Sequence, residues 1–288
     1  MADHTTGPYL ASLHTPGSPV VFPNVWDKES LQTVLSINDA KGQAPLKAIA
    51  TASYAIATSL GIKDEELTHA QNLQRIAELA PLVKAANLPL SVDIQDGYGS
   101  RIAETVRSVV KAGAVGANIE DVVLADDDDD AEAGPQHKAG EFYGVEEQAD
   151  RIRAAIQAAE EAGCPGFVVN ARCDAFFAHG KGNTGWSEEE LVQNAVARGK
   201  AYLAAGATTV FFWGGSGRGM RTAEVEAVVK GLEGRVAVKL GAAGGLSVRE
   251  LADIGVARIS VGPSLSFLKP EEVKDVAARI LSGGVLVE

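Results

Sequence analysis

Short apolar runs and longer amphipathic stretches alternate along the chain. The apolar runs are Val20–Val25, Leu46–Thr51, Leu88–Ile94, Gly116–Glu120, Gly166–Ala171, Thr208–Trp213, Val236–Leu240 and Ala257–Val261. Each is short, rich in Val, Ile, Ala or Phe and nearly continuous in apolar character, as a strand buried on both faces reads. Between them lie Glu29–Ile37, His69–Ala86, Ile102–Ala112, Glu146–Ala162, Glu188–Ala205, Ala223–Lys230, Val248–Ile254 and Glu271–Leu281. In the second of these, Leu73, Ile76, Leu79, Ala80 and Val83 recur at helical spacing. Several stretches open after Ser, Thr, Asp or Pro and close at Gly, as at Gly113, Gly163, Gly206 and Gly255. Alternation of this kind needs parallel strands joined by right-handed crossovers. The pattern predicts an α/β chain forming a single (β/α)8 TIM-type barrel over residues 18–288, after a loose N-terminal arm at 1–17. An open doubly wound sheet is the alternative, but Pro23-Asn24-Val25-Trp26-Asp27 is not a Gly-rich dinucleotide turn.

Composition narrows the partners. The 288 residues are 46% hydrophobic, enough for one large core, and carry a net charge of −12. That balance argues against nucleic acid or an anionic membrane surface, both of which reward clustered positive charge. No apolar run reaches the roughly 18 residues of a membrane span. The N-terminus shows no basic region followed by an apolar one, so the expected location is cytoplasmic. Cys164 and Cys173 are too few for a disulfide scaffold and suit a reducing compartment.

In such a barrel the chemistry sits at the carboxyl ends of the strands. Asp93, Asp96, Glu120 and Asp121 leave the third and fourth strands at that end. Crowded carboxylates repel and raise one another's pKa, and a divalent cation removes the penalty. Oxygen ligands suit Mg2+, with Mn2+ as the other choice. Helix caps and solvated loops are the plainer explanation of any one of these acids. Arg172 ends the fifth strand and is shaped for a bidentate grip on a carboxylate or phosphate; a structural bridge to Asp174, Asp121 or Glu120 explains it equally well. The small residues around Ser53 let backbone N–H groups approach a ligand oxygen. The Gly-rich exits after Trp213 and Leu240 can cradle a phosphate, although tight turns also need such glycines.

Asn24-Val25-Trp26-Asp27, Ala50-Thr51-Ala52-Ser53-Tyr54, Val92-Asp93-Ile94-Gln95-Asp96-Gly97-Tyr98-Gly99, Asn118-Ile119-Glu120-Asp121 and Asn170-Ala171-Arg172-Cys173-Asp174 occur in order. As a set they resemble the isocitrate lyase/phosphoenolpyruvate mutase superfamily, in its phosphonomutase-like and oxaloacetate decarboxylase-like branch. The resemblance implies a barrel whose C-terminal helix is exchanged between subunits of a homodimer or homotetramer. It implies Mg2+ at Asp93, with Glu120 nearby and Asp64 on a loop that orders around the metal site; Asp96, from the same strand exit as Asp93, is the further candidate ligand. It also implies a small carboxylate substrate lying against Trp26, Ser53, Tyr54, Asp93, Arg172, Trp213 and Gly214. The expected activity is that of a carbon–carbon lyase or decarboxylase acting on a small 2-oxo or 2-hydroxy dicarboxylate through an enolate. The alternatives are a phosphonomutase or phosphonopyruvate-type hydrolase, and an acid-binding barrel that has lost its chemistry.

Two departures stand out. Gln95 occupies the position where lyases of this superfamily carry a second acid, and Asp96 lies one residue on. After the fourth strand neither the Lys-Cys-Gly-His loop of the lyases nor the Lys and Asn-Ser loop of the mutases is present. Instead a long segment from Val122 to Tyr143 holds a solvated run of Asp and then His137 and Lys138. This segment is a candidate lid. His137 and Lys138, with Glu120 and Arg172, are the candidate catalytic groups, although a surface loop would explain the first two equally well.

Overall fold

The computed structural model describes residues 3–38, 44–124, 139–215, 219–241 and 243–287. Nine parallel strands run in one sheet: β1 (Val20–Phe22), β2 (Asn24–Val25), β3 (Ile49–Thr51), β4 (Leu90–Asp93), β5 (Gly116–Ile119), β6 (Val168–Cys173), β7 (Thr209–Phe212), β8 (Val236–Lys239) and β9 (Arg258–Ser260). Their order is β1-β9-β8-β7-β6-β5-β4-β3-β2. The two end strands are halves of one stave interrupted at Pro23, which has no N–H to give the ladder. The first half pairs with β9 and the second with β3, so the ring closes with eight staves. Asn24 fastens the seam. Its Nδ2 donates to the Thr51 carbonyl at 2.7 Å, and its Oδ1 accepts from the N–H groups of Val261 and Gly262 at 3.0 Å each.

The expected barrel is therefore the observed fold. Its outer layer includes α2 (Lys28–Leu35), α4 (His69–Ala85), α5 (Ile102–Ala112), α6 (Val145–Glu161), α8 (Glu188–Ala204), α9 (Thr222–Gly231), α10 (Val248–Ile254) and α11 (Pro270–Leu281). The last of these packs on α2 of its own chain. Two short helices, α3 (Ser53–Ser59) and α7 (Ala175–Gly180), start directly after β3 and β6 and carry exit residues over the mouth. Among the described residues, no helix is long and apolar enough to cross a membrane. Cys164 and Cys173 are buried and free.

The N-terminal arm is not loose where it is described. Helix α1 (Gly7–Ser12) lies against β6, and Leu10 is fully buried. Gly116 makes room for it, since a Cβ there would stand 2.9 Å from the Leu10 side chain and 2.8 Å from the Val168 carbonyl. Next in the arm, His14 Nε2 approaches Arg258 Nη1 at 3.4 Å. Arg258 is wholly buried inside the barrel. It donates to Ser91 Oγ at 3.2 Å and Asn118 Oδ1 at 3.1 Å, and lies 4.2 Å over the Phe22 ring. Asn170 and Thr209 extend that polar chain at 2.7 Å each. The apolar pattern of the strands gave no sign of this polar floor. Burial pulls the Arg258 pKa down to about 9, and burial together with Arg258 pulls that of His14 to about 3.

Candidate active site at the barrel mouth

Register fixes which residues look inward. Arg258 is inside and pairs with Ala237. On neighbouring strands Phe211 pairs with Ala237, Arg172 with Phe211, Asn170 with Thr209, Asn118 with Asn170 and Asp93 with Asn118. Paired residues of a parallel sheet share a face, and alternate residues of a strand share a side. Asp93, Arg172 and, one step past the end of β5, Glu120 thus converge on the mouth.

Their contacts bear this out. Asp93 Oδ2 accepts from the Ser53 N–H at 3.1 Å and from Ser53 Oγ at 3.2 Å, while the Asp93 N–H donates to Thr51 Oγ1 at 2.8 Å. Arg172 Nη1 grips Glu120 Oε1, and Arg172 Nε donates to Asp174 Oδ1 at 2.8 Å. The indole N–H of Trp213 donates to the same Asp174 oxygen at 2.7 Å, and the guanidinium lies 5.1 Å from the Trp213 ring. Phe177 of α7 stacks on the far face of that indole at 4.6 Å. Arg172 is thus bridged to two acids, as the structural reading expects, and its Nη2 carries no hydrogen bond among the described residues.

Asp64 comes in from the turn Asp64–Glu66, and Gln95 holds it. The Gln95 amide donates to the Asp64 carbonyl at 2.8 Å and to its carboxylate at 3.2 Å. Burial, then the nearby Asp93 charge, raise the Asp64 pKa to about 6. Burial also raises Glu120 well above the usual carboxylate range, against the pull of Arg172 and with Asp174, Asp93 and Asp64 adding to the rise. Four carboxyl groups therefore face one guanidinium.

The other two predicted acids are elsewhere. Asp96 Oδ2 accepts from the Tyr143 hydroxyl at 2.7 Å and its Oδ1 from the Tyr98 N–H at 2.9 Å, so it does not join Asp93 and Glu120. The cause is local. Gln95 and Tyr98 adopt left-handed backbone, with φ of 55° and 61°, which breaks the strand's alternation just after Asp93. Asp121 points behind the sheet. It accepts from Tyr202 Oη at 2.7 Å, Arg198 Nη1 at 3.4 Å and the Asp174 N–H at 2.9 Å. Burial and Asp174 raise its pKa to about 6.

Of the expected substrate-side residues, Ser53 is engaged with Asp93 through both its N–H and its hydroxyl. Tyr54 is 46% exposed and packs edge-on against Phe267 at 5.9 Å, outside the acid cluster. Trp26 packs with Ile56, Ala57, Ile62 and Leu67 under the turn that carries Asp64. Gly214 is buried directly after Trp213. His137 and Lys138 lie outside the described residues. The ends of their segment run side by side: the Val123 N–H donates to the Glu141 carbonyl at 3.0 Å and the Tyr143 N–H to the Asp121 carbonyl at 3.0 Å. Asp174 and the Gln95 amide were not among the expected site residues. Asp174 was signalled by its place two residues past Arg172 on the same face.

Among the described residues, no three acid, His or Cys side chains stand close enough to wrap one metal ion directly. The donor chemistry nonetheless suits a hard cation. Burial and the Asp93 charge make Asp64 costly to ionise, and both side chains offer oxygen. Mg2+ commonly takes only one or two carboxylates and keeps several waters.

Comparison with known proteins agrees with this picture. The sequence profile of the phosphoenolpyruvate phosphomutase family matches residues 10–281. The 2-methylisocitrate lyase of Escherichia coli (strain K12) is 33% identical over 209 residues, which is 69% of this chain and 62% of that enzyme. The chain thus spans about three fifths of the length of that relative. A protein of Burkholderia cenocepacia J2315 provisionally named a phosphonomutase is 33% identical, with a TM-score of 0.74 over 98% of this chain and 100% of its own. A phosphonopyruvate hydrolase in complex with oxalate and Mg2+ shares the fold at a TM-score of 0.68 and 24% identity, over 95% of this chain and 86% of its own. The chain belongs to the phosphoenolpyruvate phosphomutase family.

Proposed function

We propose that the chain is a Mg2+-dependent lyase or decarboxylase for a small 2-oxo or 2-hydroxy dicarboxylate, working through an enolate. The observation that carries this reading is the mouth itself, where Asp64, Asp93, Glu120 and Asp174 crowd around Arg172. When bound beside Asp93 and Asp64, Mg2+ supplies a Lewis acid for the substrate's 2-oxygen and offsets the charge of the acids. Arg172 is held rigid by Glu120 and Asp174, which leaves its Nη2 to bind the substrate carboxylate next to that oxygen. Ser53 orients Asp93 through two hydrogen bonds, and Gln95 orients Asp64. Trp213, clamped between Phe177 and Asp174, gives the substrate an apolar wall. Glu120 is a buried carboxyl with a raised pKa, suited to hold a proton near the reacting carbon and to give it up. His137 and Lys138, of the segment read from the sequence as a candidate lid, stand as the other candidate proton carriers.

The relatives support the class of chemistry, since 2-methylisocitrate lyase is named for cleavage of a small hydroxy acid. The experiment is a panel of 2-oxo and 2-hydroxy dicarboxylates, followed by release of pyruvate, glyoxylate or carbon dioxide. Turnover that needs Mg2+ and disappears in Asp93→Ala is expected. A chain that turns over no member of the panel contradicts the reading. A second reading, cleavage of a carbon–phosphorus bond, draws support from the name of the Burkholderia relative, which matches this chain almost end to end. Turnover of phosphonopyruvate with no activity on the carboxylates would favour it.

A further inference from the structure

Among the described residues the acids that meet at the mouth, Asp64, Asp93, Glu120 and Asp174, line one side of it. Opposite them stands Lys239, the last residue of β8. It pairs in register with Ser260 and follows the inward Ala237 by two positions, so it looks into the barrel. Counting round the ring, β8 lies four staves from β4, the strand that ends in Asp93, and four is half of eight. The Lys239 stem lies along the exit of β9. A Cβ on Gly262 would come within 3.2 Å of Lys239 Cε, and Gly262 has a φ of 55° that suits glycine. The Gly262 N–H is in turn held by Asn24. The stem thus rests on a fixed surface.

Among the described residues Lys239 forms neither an ion pair nor a hydrogen bond, in a mouth where four carboxylates cluster on the other wall. Burial pulls its pKa below the ordinary lysine range, with no neighbouring charge to restore it. A half-buried, unpaired cation is costly, and an incoming anion removes that cost. Trp213, just past the end of the neighbouring strand β7, turns its N–H toward Asp174.

We propose that Lys239 binds a second anionic group of the substrate, a carboxylate or a phosphonate, at the wall opposite Asp93. This rests on the functional reading above and narrows it. Arg172 and the cation site take the 2-oxo or 2-hydroxy acid end, and Lys239 takes the far end. The mouth therefore selects dianions over monoanions that share the same reactive half.

The test uses pairs of probes differing only in the far anion. Calorimetric titration in Mg2+ compares malate with lactate, and phosphonopyruvate with pyruvate, on wild type, Lys239→Met and Lys239→Arg. Each variant is checked for an unchanged melting temperature. Wild type is expected to bind at least one dianion ten times more tightly than its monoanionic partner. Lys239→Met should lose that preference while holding the monoanion within twofold, and Lys239→Arg should keep part of it. Whether malate or phosphonopyruvate shows the larger preference identifies the second anion. A Lys239→Met variant that keeps the full preference overturns the assignment of Lys239 and leaves the functional reading standing. A wild type that binds none of the four probes overturns both.

Discussion

Two neighbouring acids end each of two adjacent staves, and the members of each pair have opposite fates. Asp93 and Glu120 face the mouth; Asp96 and Asp121 face the helices behind the sheet. The rear acids are satisfied by Tyr143 and Tyr98 in one case and by Tyr202, Arg198 and the Asp174 N–H in the other. The mouth acids share Arg172 with Asp174 and are crowded by Asp64. Side-chain alternation divides Glu120 from Asp121, because consecutive extended residues point to opposite sides, while the left-handed backbone at Gln95 turns Asp96 away from Asp93. A run of acids after a strand is therefore two sets, one that ties helices to the barrel and one that faces the mouth.

The largest effect expected from that contrast is on catalysis. Asp93→Ala should lower turnover by on the order of a thousandfold, as removal of a charge-placing group does, with a melting temperature near that of wild type. Activity assay beside calorimetry checks it, and an inactive but unfolded variant would blur the two sets. Asp121→Ala should do the reverse. Leaving Arg198 buried without its acid costs about 3–5 kcal/mol, readable by denaturant unfolding, while the surviving folded fraction keeps its turnover. Asp96→Ala removes the acceptor of the Tyr143 hydroxyl and should cost about 1–3 kcal/mol, with turnover reduced less than Asp93→Ala reduces it.

The smallest effect sharpens the contrast through pH. Asp64 has a pKa of about 6 in the native state against an ordinary 3.8. As pH rises past about 4 the unfolded chain loses this proton first, so metal-free stability should fall from there to about pH 6 and then level off. The slope is at most about 1.4 kcal/mol per pH unit from this group. Asp121 adds a slope of the same sign. Asp64→Asn should remove the Asp64 part of that slope, and Mg2+ should raise the wild-type melting temperature most above pH 6, where Asp64 is ionised.

Much of this was legible in the chain. Continuous apolar runs alternating with amphipathic stretches led to the barrel, and strand exits led to Asp93, Glu120 and Arg172. Three things were not legible. The break of the first stave at Pro23 turned eight runs into nine strands. The left-handed backbone at Gln95 decided the direction of Asp96, and nothing in a Gln signals such a φ. The floor, with Arg258 held by Ser91, Asn118 and Phe22 and capped by His14, arises from partners far apart in sequence. A stretch read as a loose arm supplies one of them.

The central claim is that the mouth acids, and not their rear neighbours, hold a divalent ion. Titration of Mn2+ into the protein with oxalate present, read by electron paramagnetic resonance, tests it directly. One ion per chain should bind to wild type and to Asp96→Ala, and binding should be lost in Asp93→Ala. Equal binding by wild type and Asp93→Ala, or loss confined to Asp96→Ala, would contradict the account.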